Sequence, residues 1–421
     1  QLKGFYKDGE GLVKSFYNQK GVKQLTNGTG KFVDLNSNNV KVQEGEYLNG
    51  KPTGKWREWS EEEILKSVQT YKDGIANGLW SLYYDNGKLN WEGSYSKNKK
   101  SGPWKYYYED GTDSQAEFYE NGKLNGTYKQ WFKNGKLAQE GNYLEGEKTG
   151  LWKFYLTDAS IEMEGEFLSG KQSGIWKYYY EGKTQLISKG PFRNDKRTGE
   201  WNYYYEDGLK WRSGNFTADL KSGLWQTWHE NGNVIIKGNY EKDLEEGKWN
   251  TYFPDGNQQD EGNYLHGKMH GSWMGYYQTG QLRYQGSYKD GLKTGLWMYW
   301  NERGAKELEE NYLEGVLEGE RKSWYKNGKL RDQGFFKTGK QNGVWIYNYE
   351  NGAKMMESTY KLGRLDGKVT SWHEIGTLES EKFYKEGLPS GTFRFYSKKA
   401  NDLIKDCLLY TSPSPRDLST S

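Results

Sequence analysis

The stretch Ser101–Gly111, SGPWKYYYEDG, recurs in reworded form along most of the chain. Its apolar positions follow no 3.6-residue period, and Gly or Asn-Gly interrupts about every dozen residues, so no helix is expected. Aligned on Gly-x-aromatic, the glycines fall at 30, 54, 78, 102, 126, 150, 174, 199, 223, 247, 271, 295, 319, 343, 367 and 391, each 24 residues from the last except the 25-residue step into Gly199. A period of that length is one supersecondary unit, repeated.

Two residues after the glycine stands a first aromatic column, mostly Trp: Trp56, Trp80, Trp104, Trp152 and Trp297 show it, and Arg321 and Val369 break it. Three residues further on runs a second column, comprising Trp59, Tyr83, Tyr107, Trp131, Tyr155, Tyr179, Tyr204, Trp228, Tyr252, Tyr276, Trp300, Trp324 and Trp372, with Tyr396 after them. Asn-Gly or Asp-Gly follows, as in Asn86-Gly87, Asp110-Gly111 and Asn134-Gly135. Such dipeptides predict a type I′ turn, which needs φ > 0 at both central residues. A second strand ends in Gly-x-Tyr or Gly-x-Phe (Gly45/Tyr47, Gly141/Tyr143, Gly165/Phe167), and another turn, such as Asn49-Gly50, Asn121-Gly122 or Asp290-Gly291, leads into the next copy. Each unit therefore reads as one β-hairpin, with strands of about five to seven residues.

The fold class is all-β: an elongated, twisted, single-layer antiparallel array of tandem hairpins. At about 4.8 Å per strand such an array reaches on the order of 150 Å, and the usual inter-strand twist of roughly 20–25° forbids a flat sheet. Residues 30–400 hold the tandem repeats and residues 1–29 a shortened first repeat. Residues 401–421 are a tail without repeat residues, read as disordered or as translated adapter sequence.

On a regular strand, residues i and i+3 point to opposite faces. The Gly-x-Trp column is expected to form the packed spine. The second column is expected to be an exposed or lightly covered row that receives a ligand, unless a bulge turns it round.

Composition then narrows the chemistry. Apolar residues make up 33%, led by 36 Tyr and 19 Trp, which suit cross-strand aromatic pairing better than an aliphatic core. The 60 basic and 57 acidic residues are interleaved, so there is no basic stripe for nucleic acid and little to attract a membrane. His229, His266, His270 and His373 form no ligand pattern, and Cys407 is the lone cysteine, so neither a metal nor a cofactor is expected. The Glu before Gly-x-Tyr (Glu44, Glu92, Glu140, Glu164, Glu261) is expected to pair with turn lysines rather than to act as a glycosidase carboxylate. No catalytic constellation emerges, and the chain reads as a non-enzyme.

The pattern G-x-W-x-x-Y-x-x-N-G-K-L…E-G-x-Y-x-x-G-K-x-x-G, clearest in LWSLYYDNGKLNWEGSYSKNKKSGPW and QWFKNGKLAQEGNYLEGEKTGLW, resembles the MORN repeat in its longer bacterial-type variant, over roughly residues 4–398 in about sixteen copies. The resemblance implies a stack of β-hairpins, with scaffolding, membrane-joining or dimerising roles in classical relatives and antitoxin or cell-surface roles in the variant. It carries no catalytic residue. The expected function is a rigid rod, scaffold or filament subunit that assembles with itself or another protein; the alternative is a module binding protein or carbohydrate through the aromatic row. The setting leans extracellular or cell-surface, with the cytoplasm as the alternative.

Overall fold

The computed structural model describes residues 2–7, 10–18, 20–399 and 402–409. Among these residues every regular element is a β-strand. The chain divides into two compact units, Gln1–Leu209 with Phe216–Asp219, and Lys210–Asn215 with Leu220–Ser421. Leu2–Lys7 and Glu10–Phe16 form a two-stranded sheet of their own; from Gly30 on, within each unit, successive hairpin strands pair antiparallel in an open ladder.

One repeat of the first unit shows how residues make the element. Glu147–Tyr155 runs antiparallel to Ile161–Leu168, which pairs in turn with Lys171–Tyr179. The strands reach eight and nine residues because pairing continues through the Gly-x-Trp site on one side while the register shifts on the other. Gly150 pairs with Phe167 there, but no pairing bridges Thr149 and Lys153 toward Leu137–Leu144. Gly150 takes φ +65°, the left-handed region where glycine is favoured. A second bulge falls between Phe154 and Tyr155, just before the second-column ring.

The two turns of the repeat differ. Asn49-Gly50, Asn121-Gly122 and Asp290-Gly291 have positive φ at both residues, as type I′ requires. At Asn86-Gly87, Asp110-Gly111 and Asn134-Gly135 only the glycine does. There the Gly87 N–H donates to the Tyr84 carbonyl (2.9 Å) and the Tyr84 N–H to the Lys88 carbonyl (2.8 Å), closing a three-residue loop with a glycine bulge. The type I′ reading is corrected at this turn. Asn86 Oδ1 accepts from the Lys88 N–H (2.9 Å), while its Nδ2 donates to the Glu109 carbonyl of the next such turn (2.9 Å). The side chain thus favours the bulged three-residue turn and ties consecutive turns together.

The spine is where the aromatics meet. Trp56, Trp104, Trp152, Trp176, Trp201, Trp225, Trp249, Trp273, Trp297 and Trp345 are all buried. Each indole lies on the glycine eleven residues earlier. A Cβ on Gly141 would stand 2.2 Å from the Trp152 ring, and one on Gly214 2.0 Å from that of Trp225. Each of Trp104, Trp152 and Trp297 donates its indole N–H to the carbonyl ten residues earlier at 3.1 Å. The Gly-x-Tyr or Gly-x-Phe ring stands edge-on beside the indole, as Tyr143 does to Trp152 (5.2 Å, 90°).

Where the spine residue changes, its glycine changes with it. Tyr128 faces Glu117, Arg321 faces Glu310, Val369 faces Ser358 and Phe393 faces Lys382. The Arg321 site replaces the ring with ions: Arg321 bonds Glu310 (3.3 Å) and Asp332, Ser323 bonds Asp332, and Tyr312 donates to Glu310 (2.7 Å).

Both motif ends carry a cover. The shortened first repeat folds as a hairpin, Leu2–Lys7 with Glu10–Phe16, and Phe16 and Leu25 pack on Phe32 at the start of the spine. In the second unit Leu403–Leu409 is a strand paired with Gly391–Tyr396. The disordered-tail reading is therefore corrected for Leu403–Leu409. The free edge of Gly391–Tyr396 receives it. Residues 410–421 lie outside the described residues.

Candidate binding face

The second aromatic column lies on the face opposite the spine. Trp152 and Tyr155 flank Lys153, and Lys153 pairs with Glu140 and Glu164, whose neighbours Gly141 and Gly165 lie beneath spine indoles. All thirteen rings from Trp59 to Trp372 are half-buried, neither packed away nor free. The bulge before each ring keeps it on this outer face without returning it to the spine.

Two kinds of side chain hold the rings. The Tyr155 hydroxyl donates to Glu140 (2.8 Å), Tyr179 to Glu164 (2.8 Å) and Tyr276 to Glu261 (2.9 Å). Lysine ammonium groups stand over the tryptophans: Lys41 over Trp59 (4.4 Å), Lys354 over Trp372 (5.1 Å), and Lys210 and Lys306 over Trp228 and Trp324 (5.5 Å each). The Glu column does not rely on turn lysines alone. Glu140, Glu164 and Glu261 bond strand lysines Lys129 (3.4 Å), Lys177 (2.8 Å) and Lys248 (2.7 Å), and Glu44 takes both Lys41 and Arg57. Strand lysines next to the spine residue project to this face and reach the carboxylates directly. Outside this band lies a row of exposed aliphatic residues, the x of Gly-x-Trp: Leu79, Leu151, Ile175, Leu224, Leu296 and Val344.

A further device escaped the sequence reading. The residue after the second-column ring is often another Tyr, and its hydroxyl donates to the backbone carbonyl of the next repeat's second-column residue. Tyr84 bonds Tyr107 (2.7 Å), Tyr108 bonds Trp131 (2.7 Å) and Tyr277 bonds Trp300 (2.9 Å). The doublets Tyr83-Tyr84, Tyr107-Tyr108 and Tyr276-Tyr277 were the available signal.

Burial, then the Glu140 and Glu164 carboxylates, push the Tyr155 and Tyr179 phenols up to about 12. Burial raises the Glu164 carboxyl, but bonds from Lys177 and Tyr179 outweigh it and hold it below the ordinary value; the Lys248 bond does most to lower Glu261. A raised phenol pKa stabilises the fold fully below pH 10, and the contribution is lost as pH climbs toward 12. A depressed carboxyl pKa stabilises it above about 4.5, and that contribution is lost as pH falls through the lowered value. Phenolate absorbance against pH should therefore show a late group of tyrosines that ionise beyond pH 10, together with loss of the strand signal. Complete ionisation near pH 10 with strands intact contradicts the Tyr–Glu bonds.

Among the described residues, no group of three or more His, Cys, Asp or Glu is placed to hold a metal ion, and no helix is long and apolar enough to cross a membrane. His266 bonds Glu246 rather than His270.

The profile of the MORN repeat variant matches residues 76–97, 124–145, 221–242, 269–290, 317–338 and 341–362. The chain carries MORN-variant repeats at these six sites. Each matched MORN segment begins at or near the turn between hairpins and ends close to the following one, so it takes in a spine residue, a second-column position and the next Gly-x-Tyr or its equivalent. A search of curated proteins finds no match. Among solved structures, TcdB2-TccC3-Cdc42 and TcdB2-TccC3 without its hypervariable C-terminal region each align over 94% of this chain at 10% identity, and TcdB2-TccC3 over 89% at 12%. All three have a TM-score of 0.15, and the chain spans 25%, 25% and 22% of theirs.

Proposed function

We propose that this MORN-repeat chain is a non-enzymatic scaffold whose outer face receives a protein partner along the second aromatic column. The observation that carries the reading is the common state of the thirteen rings. Within each unit they share one face, stay half-buried, and sit between a charged band and a row of exposed aliphatics. Aromatic rings flanked by paired charges match the composition of protein interfaces. The lysines over Trp59, Trp228, Trp324 and Trp372 occupy the ring faces that a sugar would stack on, which favours protein over carbohydrate.

End-to-end assembly into a filament is the second reading. The outer edge of Leu403–Leu409, with Ile404 and Leu408 exposed, favours it; the Phe16 and Leu25 cover at the other end opposes it.

The test compares wild type with Trp131→Ala/Trp228→Ala. Partner proteins cross-linked to wild type should be lost from the variant while its circular dichroism stays unchanged. Retention of the same partners by a folded variant overturns the outer-face reading. Sedimentation that grows with concentration in both proteins moves the weight to self-assembly.

A further inference from the structure

The spine contains a series of aromatic cages that the chain fills with its own cations. Four residues before the spine Trp, Lys148 places its ammonium 4.0 Å from the Trp152 ring centroid and 5.2 Å from those of Phe154 and Phe167. Lys100 stands 4.1 Å from Trp104, 5.4 Å from Tyr106 and 4.6 Å from Tyr119. Lys293 repeats the arrangement over Trp297 (4.2 Å), Tyr299 and Tyr312. Lys221 manages with two rings, Trp225 (5.3 Å) and Tyr240 (4.7 Å), because Thr227 stands at the third position. The cage is thus Trp, the residue two later and the residue fifteen later.

In the repeat of Trp80 the cage residues are Trp80, Leu82 and Tyr95, and the residue that should supply the cover is Ala76. Among the tryptophan copies no other side chain at that position is as short: Gln172, Met269 and Gln341 still reach over their rings in length. Trp80 is also the one first-column tryptophan that is not buried. Its floor differs too, because Gln69 stands where the buried indoles have glycine, and Gln69 is held by the Tyr71 hydroxyl (2.7 Å). The indole is nonetheless fixed: its N–H donates to the Thr70 carbonyl (3.0 Å), and Tyr95 stands 5.0 Å away at 62°.

We propose that Trp80 and Tyr95, with Leu82, form a receptor for an alkylammonium group from another molecule. The four self-filled cages define the chemistry, since an ammonium on an alkyl stem is what the same ring geometry holds elsewhere in this chain. The stem lies along Leu82 and the charge lies on the indole face. Two sources share this chemistry, a lysine side chain of a partner protein and a quaternary ammonium headgroup. The site is on the spine face, so it stands or falls apart from the outer-face reading.

The test uses the full chain labelled with 5-fluorotryptophan, with Trp80→Phe to assign its fluorine resonance. Titrants are tetramethylammonium, N-acetyl-lysine methylamide and the uncharged 3,3-dimethylbutanol. At least one cation should shift the Trp80 resonance saturably while the alcohol leaves it in place. Response to the lysine amide alone assigns a protein lysine as source, and response to tetramethylammonium alone assigns a headgroup. Ala76→Lys should abolish the response by filling the cage from within, with the other fluorine resonances unmoved. Ala76→Gln, which copies Gln172, should abolish it without adding charge. A Trp80 resonance indifferent to both cations, equally responsive to the alcohol, or still responsive in both Ala76 variants overturns the proposal.

Discussion

Replacing Gly141 by Ala should cost about 3 kcal/mol or more in local stability, far beyond what a methyl group in a strand ordinarily does. The added Cβ would stand 2.2 and 2.3 Å from two atoms of the Trp152 ring, where no real contact exists. The ring cannot rotate away, because its N–H is bonded to the Asn142 carbonyl at 3.1 Å and Tyr143 stands edge-on beside it. Either the indole leaves the spine or the two strands part. Gly150→Ala, in the same repeat, offers a control with a different cause. Nothing lies within 4 Å of its Cβ, but φ is +65°, so the cost is conformational and about 1–2 kcal/mol. A repeat array opens in parts rather than all at once, so amide hydrogen exchange in Leu137–Leu144 and Glu147–Tyr155 is the suitable reading. Equal losses from the two substitutions contradict this account of the spine.

The second large effect is expected at the ionic joint. Arg321 is a spine residue whose side chain is only 20% exposed, and its carboxylate partners Glu310 and Asp332 are 13% and 9% exposed. Arg321→Ala should cost about 3–5 kcal/mol, because it leaves Glu310 buried without the cation it bonds, while Asp332 keeps only the Arg331 cation. Restoring the repeat's own solution has the opposite sign. In Glu310→Gly with Arg321→Trp, an indole again lies on glycine, while Asp332 keeps Arg331 at 3.0 Å and Ser323. That double variant should be as stable as wild type or more so, since replacing a buried ion cluster by packed apolar groups is often neutral or stabilising. Exchange in Val316–Trp324 and Leu330–Lys337 reports both. A double variant weaker than Arg321→Ala contradicts the equivalence of the two joints.

Much of this was legible in the sequence because a 24-residue period repeats every local choice. The hairpins, the all-β class and the burial of the Gly-x-Trp column follow from spacing alone. What escaped depends on contacts between repeats rather than within one. Asn86 looked like a type I′ residue, yet it sits in a three-residue bulged turn where its amide also reaches the carbonyl of Glu109. Tyr84 and Tyr108 were given no role by the repeat pattern, yet their hydroxyls clasp the next repeat. Gly141 and Gly165 read as strand punctuation, whereas the indoles above them leave no room for a Cβ. Arg321 and Val369 were visible as departures in the first column, and only the register joins them to Glu310 and Ser358. For the outer face, alternation predicts a row opposite the spine, but its half-burial and its lysine cover are tertiary facts.

The central claim is that each Trp is held by the bare backbone beneath it. A double-mutant cycle between Gly141→Ala and Trp152→Ala tests it most directly, read by amide exchange in the two strands they join. Trp152→Ala alone should cost about 3–5 kcal/mol. In its presence Gly141→Ala should cost almost nothing, because the ring it would strike is gone, giving a coupling of about 2 kcal/mol or more. Additive losses would mean that Gly141 and Trp152 act independently, and the joint described here would not be what holds the repeats together.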